Sequence, residues 1–123
     1  MVLQEIKQDF SVCKVTKLDS DLLTNDYTFA AKTDRELSII CPTELVPEDT
    51  VTVEHRWSCF RIAEDASFDK YGMIAFLSKI IADEKTSVLV VATFDTDYLF
   101  VKTDKFPLVK ESLIRNGCRF PDE

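Results

Sequence analysis

Two aspartates, Asp95 and Asp97, flank Thr96 at a spacing that is compatible with contact to a ligand. They lie between two short apolar segments, which is the pattern of a β-hairpin with these residues in its turn. Aspartate is common in turns because its side chain accepts hydrogen bonds from the nearby backbone. Two interpretations therefore stay open at this point, turn formation alone or turn formation together with ligand contact.

The single histidine and the four cysteines form no recognisable catalytic or metal-binding pattern. Cys13, Cys41, Cys59 and Cys118 include no C-x-x-C pair, and His55 is distant from all of them in sequence, so metal-ligand spacing is absent. With two glycines in the chain, a glycine-rich phosphate-binding loop is also absent. We predict no catalysis, no cofactor and no metal; a cysteine–His55 dyad formed by folding is the catalytic alternative.

The composition indicates a globular protein with an acidic surface. The 123 residues carry a formal charge of −7, and the lysines and arginines are scattered. Binding to nucleic acid or to an anionic membrane surface requires concentrated positive charge, so we expect neither. The first ten residues contain no apolar signal core, and the longest apolar run, residues 88–92, is far too short to span a bilayer. We therefore expect a cytoplasmic protein.

The second half of the chain predicts six elements in the order β-α-β-β-α-β. A helix beginning at Tyr71, with Asp69 as N-cap, has apolar residues at helical spacing, and a second helix ends before Gly117. The predicted strands cover residues 58–63, 87–94, 98–102 and 118–120. This order predicts an α+β fold of ferredoxin-like type, with a four-stranded antiparallel sheet and two helices on one face.

The first half has similar strands but no long helix. Strands are predicted at residues 9–15, 27–31, 37–41 and 50–54, and one helical turn is predicted at residues 18–23. We interpret this half as a shorter, β-rich and degenerate copy of the second. The predicted domains are residues 1–56 and residues 57–123.

Four segments resemble the ACT domain, a small regulatory module that binds amino acids in many metabolic proteins. Residues 68–80 contain a glycine at the start of an apolar helix, and residues 88–102 form a hairpin with the Thr-Asp-Tyr sequence of one ACT subgroup. Residues 32–47 and 57–62 also resemble that subgroup. It consists of small stand-alone proteins with an ACT-like first half and a fuller ACT second half. They are related to animal arginine sensors and to the regulatory domains of aspartate kinase.

The resemblance implies a non-catalytic, amino-acid-binding regulatory or sensor protein. In the family the ligand lies where the glycine-containing loop enters the first helix. Backbone N–H groups and the helix dipole favour a carboxylate there. Asp95 or Asp97, most simply from a neighbouring module, would pair with the ammonium group, so the ligand is expected between modules or subunits. The implied ligand-binding residues are Asp69, Lys70, Tyr71, Gly72, Met73, Ile74, Asp95, Thr96 and Asp97.

The sequence departs from the subgroup just before the glycine. Asp69, Lys70 and Tyr71 stand where small or apolar residues are typical, so that Tyr71 would fill the ligand space and Asp69 would repel a carboxylate. The alternative function is therefore a protein–protein interaction scaffold without a small-molecule ligand. In either case the expected protein partner is a second copy, forming a homodimer, or an enzyme.

Overall fold

The computed structural model describes residues 1–63 and 71–121, which form a mixed α+β fold of six strands and two α-helices. In chain order the strands are β1 (Leu3–Val15), β2 (Phe29–Lys32), β3 (Leu37–Pro42), β4 (Thr52–Ile62), β5 (Leu89–Ala92) and β6 (Asp97–Lys102). The helices are α1 (Met73–Asp83) and α2 (Phe106–Arg115), and short 3-10 turns occupy Ser20–Thr24 and Thr43–Leu45. Neither helix in this part of the chain has the length and apolar character needed to cross a membrane.

The chain forms two compact units. The minor unit is Gln8–Trp57, and the major unit combines Met1–Lys7 with Ser58–Glu123. The predicted domain boundary at residue 56/57 lies next to the break between Trp57 and Ser58, but the first seven residues join the major unit. The assignment of residues 1–56 and 57–123 to two modules of one family stays a prediction.

The major unit contains the start of β1, the end of β4, both hairpin strands and both helices, with the strand order β1-β4-β6-β5. Strands β5 and β6 are antiparallel, with Ala92 opposite Asp97. Alternate strand residues pack against one face of each helix, as expected for amphipathic elements. The buried cluster comprises Leu3, Phe60, Ile62, Leu77, Ile80, Ile81, Leu99, Val101, Phe106, Val109, Leu113, Cys118 and Phe120.

The last strand of the predicted β-α-β-β-α-β order is replaced by the N-terminal strand. Residues 118–120 form only one isolated bridge, parallel, between Arg119 and Val2, while the start of β1 takes the sheet position next to β4. The predicted strand at 118–120 is therefore wrong. β1 is a strand of 13 residues, long enough to pair over its length, and its start buries Leu3 and Ile6.

A second difference concerns β4, which is one continuous strand where the sequence predicted two, at residues 50–54 and 58–63. Arg56 adopts a positive φ of 70° within this strand. His55 and Arg56 are both exposed, and the next residue, Trp57, is buried. Such a local irregularity shifts the side-chain alternation without ending the strand. Because the alternation of exposed and buried side chains changes at Arg56, the sequence pattern predicts two strands in place of one.

The minor unit has the strand order β2-β3-β1-β4. Strands β1 and β3 are antiparallel, with Ser11 opposite Cys41 and Cys13 opposite Ile39. The 3-10 turns stand where the major unit has helices, and Asp19 caps the first of them by accepting a hydrogen bond from Asp21 N at 3.1 Å. Its small core contains Cys13, Val15, Leu22, Ile39 and Cys41.

The start of α1 differs from the prediction by two residues. The helix begins at Met73, and its N-cap is Gly72 with φ 80° and ψ 2°, so the predicted N-cap at Asp69 is wrong. Asp69 itself lies outside the described residues. Left-handed backbone is disfavoured for residues with a Cβ, which explains why a glycine occupies this position. The first helical hydrogen bond is donated by Phe76 N to Gly72 O at 2.8 Å.

Candidate functional site

A cavity of about 910 Å³ lies in the major unit at the N-terminal end of α1. Its described lining consists of residues 61–63 at the end of β4, residues 72–75 at the start of α1, residues 93–98 of the hairpin, and Gln4 of β1. These elements meet at one end of the sheet. The cavity therefore combines helix-terminal backbone groups with side chains from three different strands.

The α1 side of the cavity exposes the positive end of a helix. Met73, Ile74 and Ala75 occupy the first helical positions, whose N–H groups have no acceptor within the helix. Gly72 contributes no side chain, and no side chain of residues 1–63 or 71–121 forms a cap hydrogen bond at this end. In the described part of the chain, no heavy atom lies within 4 Å of a Cβ built at Gly72. This end of the helix is suited to an anionic group.

A second part of the cavity lining is the β5–β6 turn, which several hydrogen bonds hold in place. Thr93 N donates to Thr96 O at 2.8 Å, and Thr96 N donates to Thr93 Oγ1 at 3.3 Å. The Thr96 hydroxyl donates to Ile62 O at 2.7 Å and so attaches the turn to the end of β4. Asp95 and Asp97 both line the cavity on either side of this anchor. Asp95 lies in this turn, whereas Asp97 is the first residue of β6 and pairs with Ala92, so the prediction that placed both aspartates in the turn is wrong for Asp97.

Arg61 lines the cavity and is not among the nine residues that the resemblance implies. Its Nε donates to Gln4 Oε1 at 3.0 Å, and its Nη1 donates to Tyr98 Oη at 3.0 Å. The guanidinium carbon also lies 5.8 Å from the centre of the Tyr98 ring. The sequence feature that could have indicated Arg61 is its position between apolar Phe60 and Ile62, in a strand that precedes the glycine-containing segment.

The structure brings together six of the nine implied ligand-binding residues. Those that line the cavity are Gly72, Met73, Ile74, Asp95, Thr96 and Asp97. Tyr71 is 92% exposed and is not part of the lining, so its side chain does not fill the cavity. Asp69 and Lys70 lie outside the described residues. Ligand binding by any of the nine stays a prediction.

The catalytic alternative was a dyad of His55 with a cysteine, but the side chain that His55 contacts is that of Ser11. His55 Nδ1 lies 2.7 Å from Ser11 Oγ, which is also 2.8 Å from Thr43 Oγ1. Ser11 is 0% exposed, so a substrate cannot reach its hydroxyl. Residues 1–63 and 71–121 contain no group of three or more potential ligands placed to hold a metal ion.

The four cysteines are buried and free, and burial raises the pKa of each thiol. For Cys41, burial together with neighbouring Cys13 raises the pKa to about 11. The folded-state pKa thus exceeds the unfolded value of about 8.5. The buried Cys41 thiol therefore contributes its full stabilisation at a pH below the pKa of the unfolded state. This contribution is lost as the pH rises to the higher pKa of the folded state. We expect the free energy of unfolding, measured by urea titration, to fall between pH 9 and about 11.

A Cys41→Ala variant should show a shallower fall over the same pH range. In parallel, iodoacetamide at pH 7.5 should label the native thiols slowly and the urea-unfolded thiols completely, because the thiolate is the reactive species. Rapid native labelling, or an identical pH slope in the variant, would contradict this expectation.

Comparison with known proteins gives the family. The family model of the ACT domain matches residues 52–115, about half of the chain. A search of the curated proteins found no match. Among solved structures, protein Atu0741 from Agobacterium tumefaciens superimposes with a TM-score of 0.87 at 23% identity, covering 97% of this chain and 90% of that one.

Two further solved structures share the fold. A protein of unknown function from Vibrio cholerae, VC0802, described as a possible transport protein, has a TM-score of 0.74 at 17% identity, with 93% of this chain and 88% of that one covered. The regulatory subunit of aspartate kinase from Thermus thermophilus has a TM-score of 0.64 at 3% identity, covering 92% and 95%. The resemblance to ACT domains and aspartate kinase regulatory domains is confirmed: the chain belongs to the ACT domain family.

Proposed function

We propose that this protein is a non-catalytic regulatory module that binds a free amino acid in the cavity at the start of α1. One observation carries the proposal. The N-terminus of α1, which no described side chain caps, lines the same cavity as the residues Asp95 and Asp97. A zwitterion carries one negative and one positive group, so it is the simplest ligand that complements both sides.

The binding mode follows from the chemistry of each side. The ligand carboxylate accepts hydrogen bonds from the N–H groups at Met73 and Ile74, where the helix dipole also favours negative charge. Gly72 allows close approach because it has no Cβ. The ammonium group pairs with Asp95 or Asp97, and such charged hydrogen bonds are stronger than neutral ones.

A regulatory role fits the family and the fold. ACT-domain membership and the fold shared with a regulatory subunit of aspartate kinase support control of a partner rather than chemistry. A ligand acts in this way by favouring one of two states of the protein or its assembly.

The proposed partner is a second copy or an enzyme. Strand β5 is last in the strand order of the major unit, and edge strands can pair with another chain. Phe94, next to it, is fully exposed. These same two features favour the second candidate function, a protein–protein scaffold without a ligand.

Calorimetric titration with each of the twenty amino acids tests ligand binding. We expect at least one to bind, and the double variant Asp95→Asn/Asp97→Asn to bind it about ten- to a hundredfold more weakly. That range corresponds to about 1.5–3 kcal/mol for a hydrogen bond to a charged group. The matched control is Asp104→Asn, which removes an exposed carboxylate outside the cavity lining. If none of the twenty amino acids binds, or if Asp104→Asn weakens binding as much as the double variant does, the proposal is wrong.

Light scattering with and without the ligand separates the two candidate functions. A sensor should change its mass distribution or its partner binding when the amino acid is added. A scaffold should form the same assembly at every amino-acid concentration, and Phe94→Ser should weaken that assembly. A monomer at all protein concentrations would count against the homodimer.

A further inference from the structure

Phe94 lines the cavity, and folding of the chain does not bury its ring. The side chain is fully exposed. It follows Thr93 in the β5–β6 turn, where small and polar residues are the usual choice because they favour turn geometry. A phenylalanine contributes to stability mainly through burial. The fold of the major unit therefore gives no reason for an aromatic residue at this position.

The backbone on both sides of Phe94 is fixed by hydrogen bonds. Thr93 Oγ1 donates to Thr96 O at 2.8 Å, and the Thr96 hydroxyl donates to Ile62 O at 2.7 Å. Only the two side-chain torsions of the ring remain to be ordered when a ligand covers it. An aromatic side chain with so few torsions provides a large contact area at a small cost in conformational entropy.

The proposed binding mode brings the ligand side chain close to Phe94. In that mode the ligand carboxylate binds at the N–H groups of Met73 and Ile74, and the ammonium group pairs with Asp95 or Asp97. Both groups are attached to the same α-carbon, and so is the side chain of the amino acid. That side chain therefore begins between the start of α1 and the turn that carries Phe94.

The side chains that line this part of the cavity are apolar. Residues 73–75 at the start of α1 are methionine, isoleucine and alanine, and Met73 and Ile74 also pack against the core of the major unit. Phe94 adds an exposed ring from the turn. A ligand group that contacts these side chains loses its water, which is favourable for an apolar group and costly for a charge or an amide.

From this arrangement we propose that Phe94 makes the cavity selective for an amino acid with a large apolar side chain, which packs between its ring and the side chains of Met73 and Ile74. The inference rests on the proposed amino-acid site and adds the ligand class. The volume of about 910 Å³ lies in the upper part of the range of about 300–1,000 Å³ for small-molecule sites, so space does not exclude a large side chain.

The test compares methionine with glutamine and leucine with asparagine, pairs that are similar in size and differ in polarity. We expect the wild-type protein, by calorimetry, to bind methionine or leucine about tenfold or more tightly than the matched amide. Phe94→Ala should weaken binding of the apolar ligand about five- to tenfold, as expected when a ligand covers about half of the ring. The same variant should leave the affinity for the amide nearly unchanged, and Phe94→Leu should keep most of the preference.

The matched control is Leu108→Ala, which shortens a half-exposed apolar side chain outside the cavity lining and should leave both affinities unchanged. Asp95→Asn/Asp97→Asn should weaken both ligands of a pair together, since it acts on the ammonium group that they share. Thermal unfolding midpoints show that each variant is folded.

A preference for charged amino acids or for the amides overturns this inference and leaves amino-acid binding intact. So does a Phe94→Ala variant that keeps the wild-type ratio, the result expected if Phe94 contacts only a protein partner. Absence of binding by every amino acid overturns both the inference and the proposed function.

Discussion

Replacing Phe60 by alanine is expected to lower the free energy of unfolding by about 3–5 kcal/mol, the range for removing a fully buried phenylalanine. Phe60 is 0% exposed in the major-unit core. Its ring stacks on Phe106 at a centroid distance of 6.1 Å and meets Phe120 edge-on at 6.0 Å. Alanine would leave a cavity between α2 and the sheet, and both aromatic contacts would be lost.

Urea titration followed by circular dichroism at neutral pH measures this loss. The matched control is Phe94→Ala, which removes the same side chain from a fully exposed position and should change stability by about 0.5 kcal/mol or less. Domains of this size are stable by only about 5–15 kcal/mol, so the Phe60 variant should be near its unfolding transition under mild conditions. A loss as small as that of the control would show that the packing around Phe60 is wrong.

Replacing Leu3 by alanine is the second large effect, with an expected loss of about 2–5 kcal/mol. Leu3 is 0% exposed and belongs to the same core as the residues of α1 and α2. Its backbone N–H donates to Arg119 O at 2.8 Å, and Arg119 N donates to Met1 O at 2.9 Å. The first residues of the chain therefore complete a unit whose other members begin at residue 58.

The matched control for Leu3→Ala is Leu108→Ala, since Leu108 is half exposed on α2. We expect the control to lose about 1 kcal/mol or less. Amide hydrogen exchange of α1 and α2 should accelerate in the Leu3 variant, because these helices share its core. If exchange in α1 and α2 stays at the wild-type rate, the N-terminal strand contributes nothing to the major unit.

Local patterns predicted the elements of the major unit well. The helical spacing from residue 71 onward predicted a buried face, and Leu77, Ile80 and Ile81 are buried in α1. Phe76, which the same helical spacing includes, is 40% exposed. The hairpin turn around Asp95 and Thr96 is also where the sequence placed it. These features depend on residues close together in the chain, and periodicity reports on such residues directly.

The helix start and the strand at the C-terminal end could not be predicted in the same way. A capping aspartate and a left-handed glycine both fit the start of a helix, and the backbone angle of Gly72 decides between them. Residues 118–120 have the composition of a strand. Whether they pair depends on what else competes for the position beside β4, and the competitor lies at the other end of the chain.

The sequence by itself determined the ACT-like α+β character of the chain, the glycine before α1 and the position of Asp95 in the hairpin turn. Only the tertiary structure decided that these groups line one cavity, that Tyr71 stays outside it and that Arg61 completes its wall. The reason is separation along the chain. Arg61 is separated from Gln4 by 57 positions in the sequence and from Tyr98 by 37. The local pattern that predicts helices and strands therefore contains no information about either contact.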